Sequence, residues 1–199
     1  MAEIRVPIQK RSIEKRERII KKGFELMCEN GYFNTTTDDI AKYANVSTGI
    51  IYQYFNDKKD IFMEGIKSYS ANIMYPMINI LEKDKIEIKN FKQLINSMID
   101  KFIDSHNISK KAHEELLAMS YLDQDISTIF KNNELLMTDK IAALLKSNGF
   151  KIPNLEEKVH IIIGIVDNFC HEVVYHKHEN IDYKAMKEEV INIIISTLR

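Results

Sequence analysis

Apolar residues recur at three- and four-residue spacing along nearly all of this 199-residue chain, and no stretch alternates apolar and polar as a half-buried strand does. A chain with that pattern must pack helix on helix. Its six glycines and three prolines are too few for the turns of a β-sandwich or for glycine-rich phosphate loops. From Ser12 to Asn30 the positions Ile20, Phe24 and Met27, flanked by Ile19 and Leu26, form one apolar helical face that Gly31 stops. Thr36 followed by Asp39 is a variant capping box, opening a short helix with Ile40, Ala41 and Ala44 inward. Asn45 tolerates the left-handed conformation of a sharp turn, Val46 anchors it, and Ser47 can cap a third helix from Thr48 to Tyr54. Two short helices about a tight turn make a helix-turn-helix unit.

Asp57 caps a long helix that begins at Lys58, with Ile61, Phe62, Ile66 and Tyr69 inward, and Pro76 predicts a kink or break near Tyr75. The polar stretch Glu82 to Asn90 reads as a loop or a frayed helix end. Further helices are expected over Phe91–Ser105, Lys110–Met119, Ile126–Ser147, Leu155–His176 and Tyr183–Leu198, with Asn148-Gly149 and Pro153 as punctuation between the third and fourth of these.

A content of 45% hydrophobic and 29% charged residues excludes a disordered chain, and a net charge of −1 excludes binding to polyanions through bulk charge. Any nucleic-acid contact must be local, and residues 1–22 carry eight bases against three acids. The segment Arg5 to Arg18 is equally well a solvated charged face. Cys28 and Cys170 sit in apolar helical patterns without CxxC spacing, which predicts packed, reduced thiols in a cytosolic chain. With no signal-peptide pattern and no apolar run near the ~20 residues of a membrane span, a soluble cytoplasmic protein without membrane contact is expected.

A recognition helix needs small or polar groups at its N-terminal end, where base edges are reached in the major groove. Thr48, Gly49 and Tyr52 meet that need, with Ile51 in the core and Ile50 near the groove. Thr37, Gln53, Tyr54 and Lys58 supply donors for phosphates, Lys58 at a helix N-terminus that favours an anion. His171-Glu172 with His176 superficially resembles a zinc-protease motif, but its histidines are five apart rather than four and so leave one helix face. His176 and His178 better complement a helix dipole. Transition-metal sensing through His160, His171 or His176 stays open as a minor reading, while no metal site, cofactor or enzyme signature is assigned.

Several of these elements together resemble the TetR/AcrR family of bacterial transcriptional repressors, from Ile19 to about Phe62. They are Asn30-Gly31-Tyr32, the Thr36-Thr37 cap, Asp39-Ile40-Ala41, Val46-Ser47, Gly49, and Tyr52-x-Tyr54-Phe55-x-x-Lys58. This sequence departs from the family pattern at Gln53 (usually His), Asn45 (usually Gly), Thr48 (frequently Lys), Asp38 (sometimes Arg) and Met27 (usually Phe), which leaves the operator sequence open. The resemblance implies DNA contacts through Thr36, Thr37, Ser47, Thr48, Gly49, Ile50, Tyr52, Gln53, Tyr54 and Lys58. It implies an all-α fold, with a three-helix DNA-binding domain over 1–57 and a larger helical effector-binding and dimerisation domain over 58–199, joined by the helix 58–75.

The expected partners are a near-palindromic double-stranded operator, a second copy of the chain, and a small, largely apolar effector. The effector would sit among Met74, Met98, Phe102, His106, Met119, Phe130, Asn168 and Phe169, with His106, His113, Asn168 or Tyr175 as hydrogen-bonding groups. The apolar stripes of the two C-terminal helices are wider than one neighbour can cover, so Val159, Ile162, Val166, Val173, Val190 and Ile194 are expected in a dimer interface. The alternative is a helical interaction protein with no sequence-specific DNA binding. A helical metal-dependent enzyme ranks last.

Overall fold

The computed structural model of the chain describes residues 7–83, 90–106 and 108–198. The described residues form helices α1 (Lys10–Asn30), α2 (Thr37–Tyr43), α3 (Thr48–Tyr54), α4 (Lys58–Lys83), α5 (Phe91–Ser105), α6 (Lys110–Leu122), α7 (Gln124–Ser147), α8 (Leu155–Tyr175) and α9 (Tyr183–Thr197), and no strand occurs among them. The all-α expectation is met. The polar stretch read as a loop after Lys83 lies largely outside the described residues, as does Arg5.

The chain packs as two compact units. One takes the residues up to Ser70 together with Ile108–Phe130; the other takes Ala71 to Asn107 and Lys131 onward. The first therefore includes α6 and the start of α7, a return of the chain that a single cut at Lys58 omits.

In the first unit, local chemistry sets each corner as the sequence implies. Gly31 ends α1 with φ 96°, and Thr36 with Asp39 forms a reciprocal capping box at α2. Asn45 takes φ 53° in the turn between α2 and α3, and the Asp57 carboxylate accepts from the Lys59 and Asp60 amides at 2.8 and 3.1 Å. Ser47 occupies the N-cap position of α3 with extended backbone, yet its side chain makes no capping bond. Asp38 on α2 instead ties the start of α3 through its side chain, accepting from the Thr48 hydroxyl at 2.6 Å. α7 starts two residues earlier than its apolar period because the Asp123 carboxylate takes the Asp125 and Ile126 amides.

Helices α1 and α4 approach closely. A Cβ on Gly65 would lie 2.5 Å from the Phe24 ring, and one on Gly23 would lie 2.7 Å from an Ile61 methyl. Phe62, fully buried, fills the space beside them with its ring 5.7 Å from Phe24 and 5.1 Å from Tyr32. From α6, Glu115 accepts the Tyr32 amide and so holds the turn after α1.

In the second unit the helix over Ala71–Lys83 passes through Pro76 without interruption, so the break expected near Tyr75 does not occur. One missing ladder bond is tolerated where Met74, Met77 and Ile78 are buried around it. The helix packs with α5, α7, α8 and α9 around an apolar core that includes Ile99, Phe169, Cys170 and Ile191. Both thiols are packed as expected, and burial pushes Cys28 up to about 12 and Cys170 further.

Candidate nucleic-acid interface and effector cavity

α3 is only seven residues long and is held by its apolar side: Ile51 is fully buried and Tyr54 nearly so. What remains outward is Ser47, Gly49, Tyr52 and Gln53, with Thr48 and Ile50 half-exposed beside them. Tyr52 keeps 52% of its surface open. Nothing lies within 4 Å of where a Gly49 Cβ would stand, so the protein's own packing gives no reason for glycine there. A glycine inside a helix costs about 1 kcal/mol relative to alanine, and among the described residues no close approach at the Cβ position offsets it.

Four expected contact residues need correction. Tyr54 is a core side chain, its ring 6.5 Å from Phe55, because its position on α3 faces the same side as Ile51. The Lys58 ammonium donates to the carbonyls of Tyr32 and Thr35 at 2.7 and 2.8 Å and lies 4.5 Å over the Tyr32 ring. It clamps the turn after α1 rather than standing open to a phosphate, and burial lowers its pKa. The Thr36 hydroxyl is spent in the capping box, and that of Thr48 on Asp38. Thr37 remains half-exposed at the start of α2. Arg16, from the basic N-terminal segment, is also structural: it stacks over Phe55 and pairs with Glu64.

Lys58→Met should therefore act on stability. It removes both donors while keeping the stem, and a loss of about 1–2 kcal/mol is expected from the two carbonyls left without them. The folded variant should bind DNA with an unchanged salt slope. A slope lower by ~1 in a titration of salt against affinity would return Lys58 to the phosphate contacts.

The second unit holds an apolar cavity of about 90 Å³ lined by side chains of all five of its helices, Met77, Met98, Phe102, Met137, Val166 and Ile194 among them. Of the expected effector residues only Met98 and Phe102 line it. Met119 and Phe130 pack in the first unit, Met74 is buried in the second unit's core, and His106 lies outside the lining. Asn168 is exposed and, with Phe169, lines a shallow groove between α8 and α9 instead.

The expected interface residues are likewise turned inward. Val159, Val190 and Ile194 are buried, and Val159, Ile162, Val166 and Ile194 line the cavity; Val173 is half-buried against the core. The outward stripe is the neighbouring one. Ile161 (58% exposed), Gly164, Ile165 and Asn168 from α8 stand there with Met186 and Ile193 (43% exposed) from α9.

His106, Asp167 and His171 come together from α5 and α8, each offering a ligand atom within 4.8 Å of the others. Desolvation raises Asp167 to about 6 and lowers His171 to about 4. His160 is elsewhere, beside Thr138 and Glu134.

A short, exposed helix set by a tight turn on a three-helix core defines a helix-turn-helix protein. The family profile described as "Bacterial regulatory proteins, tetR family" matches residues 19–64. The transcriptional regulator HbdR of Aromatoleum is 49% identical over 55 residues, 28% of this chain and 24% of its own length. The fatty acid metabolism regulator protein of Bacillus subtilis is 26% identical over 90% of this chain and 93% of its own. A TetR-family regulator structure from Mesorhizobium loti superposes with a TM-score of 0.71 at 17% identity, covering 96% of both chains. The chain spans less than two thirds of the first two curated relatives it matches, 24% of one and 63% of the other. Residues 19–64 carry the TetR-family domain, and over its length the chain is similar in fold to TetR-family regulators. Its relatives are named as regulators of transcription, not as enzymes. No described helix is long and apolar enough to cross a membrane.

Proposed function

We propose that this protein is a DNA-binding transcriptional repressor, acting as a homodimer on a near-palindromic operator and released by a small, largely apolar effector. The observation that carries the reading is the outward face of α3: a helical glycine whose Cβ would meet nothing within 4 Å among the described residues, flanked by Thr48, Tyr52 and Gln53. A glycine kept at a cost to the helix, on the one face that reaches outward, suits close approach by a DNA strand. Ser47, Gly49, Ile50, Tyr52 and Gln53 are the contacts to bases and backbone in this reading, with Thr37 at the margin. The first unit binds DNA; the second binds effector and dimerises through the outward stripe of α8 and α9.

The test separates this from a helix-turn-helix that serves only as a corner. Gly49→Ala should raise the stability of the fold by up to about 1 kcal/mol while weakening operator binding, because a methyl group is added where DNA approaches. Fluorescence anisotropy with promoter DNA and thermal melts on the same samples read both. Greater stability with undiminished DNA affinity, or no salt-dependent binding to any duplex, would sink the DNA-binding reading.

For the effector, a 90 Å³ space is smaller than the ~300 Å³ at which ordinary ligand pockets begin, so binding must part flexible side chains such as Met77, Met98 and Met137. Its all-apolar walls suit a slim hydrocarbon chain, in keeping with a relative that regulates fatty acid metabolism.

A further inference from the structure

The geometry points to a transition-metal site formed by His106, Asp167 and His171 in the second unit. The three residues come from two helices: His106 follows the last residue of α5, while Asp167 and His171 stand one turn apart on α8. The Asp167 carboxylate is 3.3 Å from His171 Nδ1, and the two imidazoles meet nearly perpendicular, in a T-shaped contact with centroids 5.2 Å apart.

His106 is 7% exposed, and its Nδ1 lies 2.7 Å from the Phe102 carbonyl oxygen. Only an N–H bonds a carbonyl, so Nδ1 carries a proton, and in the neutral ring that leaves the lone pair on Nε2. A backbone carbonyl that fixes ring and tautomer in this way is the usual support of a metal-ligating histidine.

Two imidazoles and one carboxylate are the donors of sites with three protein ligands, where water or a small molecule completes the shell. Nitrogen donors select zinc, cobalt, nickel or ferrous iron over magnesium and calcium, which take oxygen. Bonds of ~2.0–2.1 Å to a tetrahedral ion set ligand atoms roughly 3.3–3.4 Å apart. The Asp167–His171 pair already has that spacing, and the 4.8 Å outer limit of the cluster leaves at most about 1.5 Å to be closed by side-chain rotation.

None of the three residues lines the apolar cavity, but Phe102, which holds His106, and Val166, which precedes Asp167, both do. A bound ion would fasten α5 to α8 along the cavity wall. The site does not depend on the DNA-binding reading, and its test uses no DNA.

Tag-free protein, stripped with EDTA and dialysed, is titrated with Co²⁺. One equivalent per chain should bring up the visible absorption of a four- or five-coordinate ion, and one equivalent of Zn²⁺ should abolish it. Calorimetry with Zn²⁺ should give one site of micromolar or tighter affinity. His171→Gln and Asp167→Asn, both at partly exposed positions, should each weaken it at least tenfold with unchanged helical circular dichroism. A triple His160→Gln, His176→Gln, His178→Gln variant should bind as the parent does. Absence of Co²⁺ and Zn²⁺ binding at micromolar concentrations, equal binding by the two cluster variants, or loss only in the triple variant would overturn the site and leave a hydrogen-bonded cluster.

Discussion

Ile161→Asp combined with Ile193→Asp is expected to give a folded monomer whose operator affinity is lower by about 100- to 10,000-fold, the contribution that linking two binding modules makes through effective concentration. Both side chains point outward, so the aspartates cost the isolated chain little. In a two-fold interface each copy would meet its own charge across the axis, with like charges brought together as water is removed. Gly164, whose Cβ would meet nothing within the chain, lies in the same stripe and lets a facing helix come close. The control is one residue away. Ile194→Asp buries a carboxylate at a position 4% exposed on the cavity wall and should destabilise the second unit. Sedimentation, circular dichroism and anisotropy on the three proteins test this together. A double variant that remains dimeric at micromolar concentration, or a stable and monomeric Ile194→Asp, would move the interface off this stripe.

The contrast between Ile193 and Ile194 also shows what a sequence can disclose. Adjacent helical residues point about 100° apart. Where both are isoleucine, periodicity marks a wide apolar arc without saying which edge meets the chain's own core, so it does not separate Ile194, buried, from Ile193, 43% exposed. Features set within one turn are legible: the Thr36–Asp39 box, the left-handed Asn45 and the Asp57 cap all rest on partners two or three residues away or on a single residue's own φ. Features set by distant partners are not. Lys58 reads as a free ammonium at a helix start until Tyr32 and Thr35, 26 and 23 residues back, claim it. Met119 and Phe130 carry no mark that the chain returns to the first unit over Ile108–Phe130. The sequence sets His171 beside His176 on one helix, whereas its neighbours in the fold are Asp167, at helical spacing but of another residue type, and His106 from the end of α5.

Phe62→Ala should cost about 3–5 kcal/mol, the upper part of what a lost core side chain costs, because its surroundings cannot close over the gap. The ring is wholly buried between Phe24 and Tyr32. Relaxation would need α1 and α4 to move together, but they already touch: the space for even one methyl is absent at Gly65 against Phe24, and at Gly23 against Ile61. The clamp of Lys58 on Tyr32 holds the third side of the pocket in place. A rigid, apolar void should therefore persist rather than collapse. For a chain of this size the loss corresponds to a fall in Tm of roughly 6–20 °C. The void should also be dry and take up a small apolar molecule, so benzene should recover part of the fall in the variant and leave the parent unchanged. The operator-binding loss should track the unfolded fraction, since Phe62 is wholly buried and not part of the outward face of α3. A fall below about 3 °C without any benzene effect would mean that α1 and α4 do close over the gap, and the close approach at the two glycines would not be the rigid element described above.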